Sequence, residues 1–322
     1  VAGVLLILGV GIMLWMKPEE NGVWEGEKTV EPGIGQVVLT LGDGESMPLK
    51  RDTNRLIFGG TMLQVRNERG TLVYSRIKSK EASEKIVYNT LTVPVRERFQ
   101  LVLADGTKVF LNSGSEMRYP ERFGKARREV FLKGEAWFEV AKDSAREFWV
   151  HAGAMDVKVL GTSFNVKAYE RLETVATTLV EGSVEVACAG KSFQIVPGEQ
   201  FVYNKNNRVM DVRMVDTESY VSWKDGYYKF RQTTLEEIME TLSVWYGLNV
   251  FYVNESAKQV EFTGKVKRYE DARMLLDKFE QTGDVVFDIK GNNVFITIKQ
   301  KKPFAREWNS FLVKARGMVW QS

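Results

Sequence analysis

From residue 36 to about residue 215, apolar and polar residues alternate in runs of strand length, and helical periodicity is almost absent. Short polar segments such as TLGDGE, LADGTK and IVPGEQ separate these runs. Alternation places one face of each strand in a core and the other in solvent. The pattern predicts an all-β domain, a sandwich or a β-roll, with an N-terminal β segment at 36–98 and the main part at 99–215.

Glycines punctuate this domain at recurring places. A motif in which a glycine precedes an aromatic residue or Val occurs in LKGEAWFEV, VLGTSFNV, LVEGSVEV and IVPGEQFV. The intervals are unequal, which excludes a regular repeat array. We predict structural turns at these glycines, which are Gly134, Gly161, Gly182 and Gly198.

Two Asp-Gly pairs raise the question of an acidic site. Asp43-Gly44 and Asp105-Gly106 each lie between alternating runs, which is a strong sequence signal for a hairpin turn. Glycine accepts the positive φ of such turns, and the Asp side chain bonds to nearby backbone. We therefore predict turns at both places rather than a pair of catalytic acids.

The pattern changes near Gly226. The segment YYKFRQTTLEEIMETLSVWYGLNVFYV indicates a strand, an amphipathic helix and another strand. Thr234 with Glu237 forms the sequence of a capping box, and Gly247 stands where a helix ends. A second helix, RYEDARMLLDKFEQTG with Tyr269 on its apolar face, follows a strand and precedes a hairpin. We predict a small α+β domain of two β-α-β units at 226–299.

The two ends of the chain differ from these domains. Residues 1–16, VAGVLLILGVGIMLWM, carry no charge and would span roughly 24 Å as a helix, short of a ~30 Å hydrocarbon core. We expect a truncated transmembrane helix; the alternative, a signal peptide, requires a basic first part and a cleavage site. Residues 17–35 predict a linker, whose glutamates favour the non-cytoplasmic side. The basic tail at 300–322 is a partner or membrane-surface helix, or a loosely held terminus.

Composition and charge exclude several kinds of binding site and chemistry. The net charge of +3 is too small to indicate a nucleic-acid surface, and the cluster of basic residues at 122–128 is interpreted as a solvated loop. A single cysteine, Cys188, excludes an intrachain disulfide and a Cys-based zinc site. The single histidine, His151, is interpreted as a strand residue without a special role. We predict no metal, no cofactor and no catalytic residue.

Glu135 and Glu139 form the best candidate for paired carboxylates. In a strand they share one face but stand roughly 13 Å apart, beyond the 5–9.5 Å of glycosidases. We interpret this face as solvated. Either acid could still meet a carboxylate from another strand, which leaves open an alternative function as a membrane-anchored carbohydrate-binding or carbohydrate-cleaving β-protein. A periplasmic scaffold is a third possibility.

Several segments together resemble a known family. The stretch VPVRERFQLVLADGTKVFLNSGSEMRYPERF, followed by VFLKGEAWFEVAKD, VKVLGTSFNVKAY, TTLVEGSVEV and VPGEQFVYN, resembles a FecR-type periplasmic domain. The segment FRQTTLEEIMETLSVWYGLNVFY is similar to the small domain that follows it in one branch of that family, which is itself similar to the secretin and TonB short N-terminal domain. The resemblance covers about residues 35–299 in the expected order.

The resemblance implies a function in signalling rather than catalysis. It implies an anti-sigma factor anchored in the inner membrane by a single span, with most of the chain in the periplasm. Its expected partners are the periplasmic signalling domain of an outer-membrane TonB-dependent transporter and an extracytoplasmic-function sigma factor. The cytoplasmic sigma-binding segment that should precede the membrane helix is missing, so sigma binding maps to no residue of this sequence.

A docking site for the transporter is the remaining hypothesis. Small α+β domains with an open sheet edge can add a strand from a partner. We hypothesise that Trp245, Tyr246 and Val250 help to dock the transporter's signalling domain. The alternative is that Trp245 and Tyr246 complete the hydrophobic core of their own domain.

Overall fold

The structure, a computed structural model, describes residues 35–50, 55–59, 63–68, 71–76, 86–268 and 271–299. The predicted membrane helix at 1–16, the linker at 17–35 except its last residue, the tail at 300–322 and Tyr269 lie outside the described residues. Within the described ranges, no helix has the length and apolar character needed to cross a membrane.

Strands dominate the described residues, which confirms the mainly β fold class. The β domain contains the eighteen strands β1 (Val37–Thr40), β2 (Ser46–Leu49), β3 (Arg55–Gly59), β4 (Leu63–Glu68), β5 (Thr71–Arg76), β6 (Tyr88–Val93), β7 (Phe99–Val102), β8 (Lys108–Leu111), β9 (Ser115–Pro120), β10 (Arg128–Glu139), β11 (Phe148–Ala152), β12 (Met155–Val159), β13 (Ser163–Ala168), β14 (Thr174–Glu181), β15 (Val184–Cys188), β16 (Lys191–Ile195), β17 (Glu199–Asn204) and β18 (Met210–Met214).

These strands form two sheets that share β10. The order in the first sheet is β2-β1-β6-β9-β10-β11-β12-β15-β16. The order in the second is β3-β4-β5-β7-β8-β10-β13-β14-β17-β18. One core of buried side chains, among them Leu39, Leu91, Leu101, Phe164 and Phe201, joins the predicted segments 36–98 and 99–215.

The recurring glycines mark the places where the chain passes between the two sheets. Gly161 lies between β12 and β13, Gly182 between β14 and β15, and Gly198 between β16 and β17. Gly198 follows Pro197 in a tight turn, in which the Glu199 N–H donates to the Val196 carbonyl at 3.0 Å. The glycines that predict turns in the sequence therefore also mark the crossings between the two sheets.

Gly134 corrects the turn prediction, because it lies inside β10 rather than in a turn. The first half of β10 pairs with β9 and β11, and the second half with β8 and β13. At the junction Gly134 takes a φ of 102°, and a Cβ there would lie 2.5 Å from the Ser115 Oγ. Only glycine fits this kink, since a side chain would be both strained and obstructed.

The two Asp-Gly pairs lie in turns of the same build. Gly44 has a φ of 91° and Gly106 a φ of 88°. The Asp43 Oδ1 accepts the Glu45 N–H, and the Asp105 Oδ1 accepts the Thr107 N–H, both at 3.0 Å. Glycine alone takes the positive φ, and the Asp side chain stabilises the turn from the preceding position.

A short connection leads to the small domain. It consists of α1 (Glu218–Val221) and a 3₁₀ turn (Ser222–Asp225). The small domain contains β19 (Tyr227–Thr234), α2 (Leu235–Tyr246), β20 (Asn249–Tyr252), a 3₁₀ turn (Glu255–Gln259), β21 (Glu261–Lys267), α3 (Ala272–Glu280), β22 (Val285–Lys290) and β23 (Asn293–Ile298).

Helix α2 begins and ends where its sequence predicts. The Thr234 Oγ1 accepts the Glu237 N–H at 3.3 Å, and Gly247 ends the helix with a φ of 70°. The Glu237 carboxylate lies 3.6 Å from the Arg213 guanidinium of β18, so this side chain of the predicted capping box forms a contact with the β domain.

The strand pairing of the small domain differs from the prediction. The order of elements matches two β-α-β units, but β19 pairs antiparallel with β21, whereas β20 and β22 flank β23 in a separate sheet. The two strands around each helix thus lie in different sheets, and neither unit is a crossover within one sheet. Sequence periodicity gives the order of elements but not which strands pair, since pairing depends on contacts distant in sequence.

The small domain has its own hydrophobic core, and the β domain contributes to it. Leu235, Leu242, Leu275 and Ile296 form its interior together with Trp137, which belongs to β10. Trp137 is only 4% exposed. The two domains are therefore packed against each other.

Candidate interaction surface on the small domain

Within the described part of the chain, no group of three or more acidic, histidine or cysteine side chains could hold a metal ion. His151 on β11 contacts two carboxylates, with its Nδ1 2.7 Å from the Asp156 Oδ1 and its Nε2 3.4 Å from the Glu129 Oε2. Its ring stacks on Phe131. The hydrogen bond with Asp156 is the main cause that raises the pKa of His151 above its ordinary value. This arrangement links three neighbouring strands.

Asp105 does more than stabilise a turn. Its Oδ2 lies 2.8 Å from the Arg128 Nη1, and the Arg128 side chain is completely buried. The guanidinium also donates to the carbonyls of Ala141 and Arg146, at 2.8 and 2.9 Å. The interpretation of the 122–128 cluster as a solvated loop is thus wrong for Arg128, which is buried because Asp105 and two carbonyls replace its water.

Glu135 and Trp137 correct the prediction of a solvated strand face. Glu135 is 7% exposed, and its carboxylate accepts hydrogen bonds from the Asn112 Nδ2 at 2.8 Å and the Asn165 Nδ2 at 2.9 Å. Asn165 in turn accepts the Trp223 indole N–H at 3.3 Å. Burial raises the pKa of Glu135. The small domain covers this face. Two amides of the β domain donate to the carboxylate, and the Trp223 indole joins this network to the connection before the small domain.

A cleft of about 640 Å³ lies between the second sheet and α2. Two ion pairs span it: Lys167 Nζ lies 3.7 Å from the Glu240 Oε2, and Arg213 Nη2 lies 3.6 Å from the Glu237 Oε1. Burial raises the pKa of Glu240. The facing walls are thus complementary in charge, which suits two domains held together.

The three residues predicted to dock a partner occupy different environments. Tyr246 is 1% exposed and lies in the core of the small domain. Trp245 is half-buried, and the Arg268 guanidinium lies 3.7 Å from the centre of its ring. Val250 is half-buried on β20 and packs against the same core. The burial of Tyr246 excludes its side chain from direct contact with a partner in this fold.

An open strand edge lies next to these residues. Strand β20 pairs with β23 on one side and with no other strand among those described. The N–H of Asn249 donates to the Asn292 carbonyl and that of Val253 to the Ile296 carbonyl, at 2.8 and 2.9 Å. Because N–H direction alternates along a strand, the N–H groups of Val250 and Tyr252 point toward the open side. We call this open side, with the outward side chains Phe251 and Val253, the β20 edge.

The β20 edge is unusually apolar for an exposed strand. Phe251 is 47% exposed and Val253 62% exposed. Phe251 stacks on Phe295 of β23, with ring centroids 5.1 Å apart. Exposed edges of this kind are usually protected by charge or proline, because they pair readily with other chains. The β20 edge is therefore a candidate surface for strand addition.

The sequence pattern predicts strand β20 but not which of its side chains are exposed. In NVFYV the four consecutive apolar residues at 250–253 break the alternation of a half-buried strand. This run was the available signal, because a strand with apolar residues on both faces must cover two surfaces.

The fold is a two-sheet β domain packed against a small α+β domain, and comparison with known proteins gives the family. A family model described as FecR protein matches residues 89–185, and a second, described as FecR, C-terminal, matches residues 227–296. The first covers β6 to β15 of the β domain, and the second covers most of the small domain. Together they match more than half of the 322 residues. The chain belongs to the FecR family.

Two solved structures are similar to this chain. Both are crystal structures of a protein from Parabacteroides distasonis that is assigned as an anti-sigma factor. The structure at 1.65 Å is 28% identical with a TM-score of 0.60, and the match covers 65% of this chain and 98% of that one. The structure at 2.50 Å is 28% identical with a TM-score of 0.59, covering 66% and 99%. No curated protein matches the chain. These similarities support the class of FecR-type anti-sigma factors, whose role is regulatory.

Proposed function

We propose that this chain is a membrane-anchored anti-sigma factor that relays a signal from an outer-membrane TonB-dependent transporter to an extracytoplasmic-function sigma factor. The transporter's periplasmic signalling domain docks on the small domain, and the bulk of the chain lies in the periplasm. Residues 1–16 anchor it in the inner membrane, and the sigma factor binds a cytoplasmic segment that would precede them. The chain has no catalytic role in this account.

The observation that carries this proposal is the β20 edge. A strand from the transporter's signalling domain adds to β20, with main-chain hydrogen bonds to Val250 and Tyr252 and side-chain contacts to Phe251 and Val253. Main-chain bonds supply affinity in such complexes, and side chains supply selectivity. The predicted docking residue Val250 then acts through its backbone. The carbohydrate alternative has no comparable support, because the family and the similar structures are regulatory.

Titration of purified transporter domains against the 322-residue chain in detergent tests this function. The ligands are the periplasmic signalling domains of the TonB-dependent transporters of the same organism, tested as a panel. We expect at least one to bind with a dissociation constant on the order of micromolar. Val250→Pro removes an outward N–H and Phe251→Asp places a charge on the edge, so each should weaken binding at least about tenfold.

Met274→Asp is the matched control, because Met274 on α3 is a similarly exposed apolar side chain, 53% accessible, away from β20. It should leave the affinity unchanged. Phe251→Asp keeps the test valid if Val250→Pro does not fold, since the Phe251 side chain points outward. The proposal is wrong if no domain of the panel binds, or if Met274→Asp weakens binding as much as Phe251→Asp does.

A further inference from the structure

The last turn of α2 is completed by the β domain. The final carbonyls of a helix lack partners within the helix and need donors from elsewhere. The Ser113 Oγ donates to the carbonyls of Val244 and Trp245, at 3.1 and 3.3 Å. The Arg96 N–H donates to the Trp245 carbonyl at 3.1 Å and to the Ser113 Oγ at 3.0 Å. Two residues of the β domain thus cap a helix of the small domain.

These capping residues are held firmly in place. Ser113 is fully buried, and its own carbonyl accepts the Tyr169 hydroxyl at 2.8 Å. Arg96 lies in a tight turn closed by the bond from the Glu97 N–H to the Pro94 carbonyl, 3.2 Å long. Arg96 has a φ of 69°, which is sparsely populated by residues other than glycine. The surrounding contacts maintain this conformation, and with it the direction of the Arg96 N–H.

The packing around the cap leaves little room for movement. A Cβ on Gly247 would lie 3.2 Å from the Val95 Cγ1, so the end of α2 lies directly against the turn at 94–97. Val244 packs in a small cluster with Tyr169 and Leu172 of the β domain. The Arg98 guanidinium donates to the Lys224 carbonyl in the connection before the small domain. The end of α2 and the connection before the small domain are therefore both held against the β domain.

The capped turn lies next to the β20 edge. Three residues separate Trp245 from Asn249, the first residue of β20. Tyr246, Gly247 and the buried Leu248 form this link, and the Leu248 N–H donates to the Ser243 carbonyl at 3.1 Å. A short, hydrogen-bonded link of this kind transmits a displacement of one end to the other. The position of the β20 edge is thus tied to the position of Ser113.

We propose that Ser113 and the strained turn at Arg96 are positioning residues for the docking strand: they cap α2 from the β domain and so couple the β20 edge to that domain. The coupling rests on the proposed function for its biological meaning, since the β20 edge is where the transporter domain would bind. In this account a partner strand at β20 shifts the end of α2, and the β domain senses the shift through the Ser113 and Arg96 hydrogen bonds.

Amide hydrogen exchange on the 322-residue chain tests the coupling without any partner. Ser113→Ala removes the cap, and we expect the amides of residues 246–252 to exchange at least about fivefold faster, as loss of one hydrogen bond predicts. Ser115→Ala is the matched control, because Ser115 is also buried but its hydroxyl bonds within the β domain, to Glu135 and Tyr169. It should not accelerate exchange at 246–252 more than elsewhere.

Arg96→Gly provides a second variant that separates capping from folding. It keeps the backbone N–H, and glycine takes the positive φ of this position without steric strain. Exchange at 246–252 should therefore stay within about twofold of the wild-type rate. The coupling is refuted if Ser113→Ala leaves these rates unchanged, or if Ser113→Ala and Ser115→Ala accelerate them equally.

Binding of the transporter domains separates this inference from the proposed function. If the wild-type chain binds none of them while Ser113→Ala accelerates exchange at 246–252, the proposed function fails and the capping role stands. If a domain binds, Ser113→Ala should change its affinity at least about threefold, whereas Ser115→Ala should not. Equal affinity for wild-type and Ser113→Ala would refute the coupling and leave the proposed function intact.

Discussion

Asp105 and Asp43 occupy turns of the same build but face different surroundings. Asp105 pairs with the buried Arg128, whereas the equivalent turn at Asp43 is exposed. Asp105→Asn leaves the guanidinium buried without its counter-charge, which should lower the free energy of unfolding by about 3–5 kcal/mol. Asp43→Asn should cost less than ~1 kcal/mol. Urea denaturation of both variants measures the difference; equal losses would show that the ion pair adds nothing to the turn.

His151 makes the stability of the fold depend on pH. Its pKa is raised in the folded chain, chiefly by the hydrogen bond with Asp156. Protonation is therefore favoured by folding, so the stabilisation is fully present below the ordinary histidine pKa of ~6.5 and is lost as the pH rises through the folded value. The stability difference between the wild type and His151→Gln should be larger at about pH 5.5 than at about pH 8.5. A difference that does not change with pH would contradict this role.

Some residues could be placed from the sequence, and others could not. The turns at the Asp-Gly pairs and at the glycines other than Gly134 follow from the sequence, because backbone conformation is a local property. Arg128 and Glu135 were misjudged, because a charge is buried only when distant groups replace its water. Asp105, Asn112 and Asn165 supply those groups, and nothing in the local sequence reveals that they meet. Buried polar networks of this kind become visible only in the fold.

At the scale of elements, order could be predicted and pairing could not. The amphipathic stripe and caps of α2 follow from periodicity. The pairing of strands in the small domain does not follow from periodicity, because alternative pairings of the same strands have the same hydrophobic pattern. The dual role of β10 is similar: Gly134 signals an irregularity in the strand, but only the fold shows that the strand changes sheets there.

Strand β10 contributes to the cores of both domains through different residues, and substitution of Trp137 tests its contribution to the small domain. It lies on β10 but is buried in the core of the small domain. Trp137→Ala should destabilise the small domain by about 3–5 kcal/mol, which hydrogen exchange at the amides of α2 would detect. Trp149→Ala is the control, because Trp149 lies on the outer face of the first sheet, beside His151. If Trp137→Ala accelerates exchange in β11 and β12 as much as in α2, the two cores are not separate.

In the part of the chain that the structure describes, the small domain covers a polar face of the β domain and leaves the β20 edge unpaired. The Ser113 cap, the burial of Trp137 and the ion pairs across the cleft hold the two domains together. A partner at the β20 edge would therefore act on a unit and not on an isolated domain. This organisation is compatible with the relay proposed above, in which binding at one surface must act on the rest of the chain.

Photo-crosslinking in intact cells tests directly whether a transporter docks at the β20 edge. A photoreactive amino acid at position 251 samples the β20 edge, and the same amino acid at position 274 samples the exposed face of α3. We expect a crosslink from position 251 to an outer-membrane TonB-dependent transporter and none from position 274. A transporter crosslink that forms equally from both positions, or from position 274 alone, would contradict docking at the β20 edge.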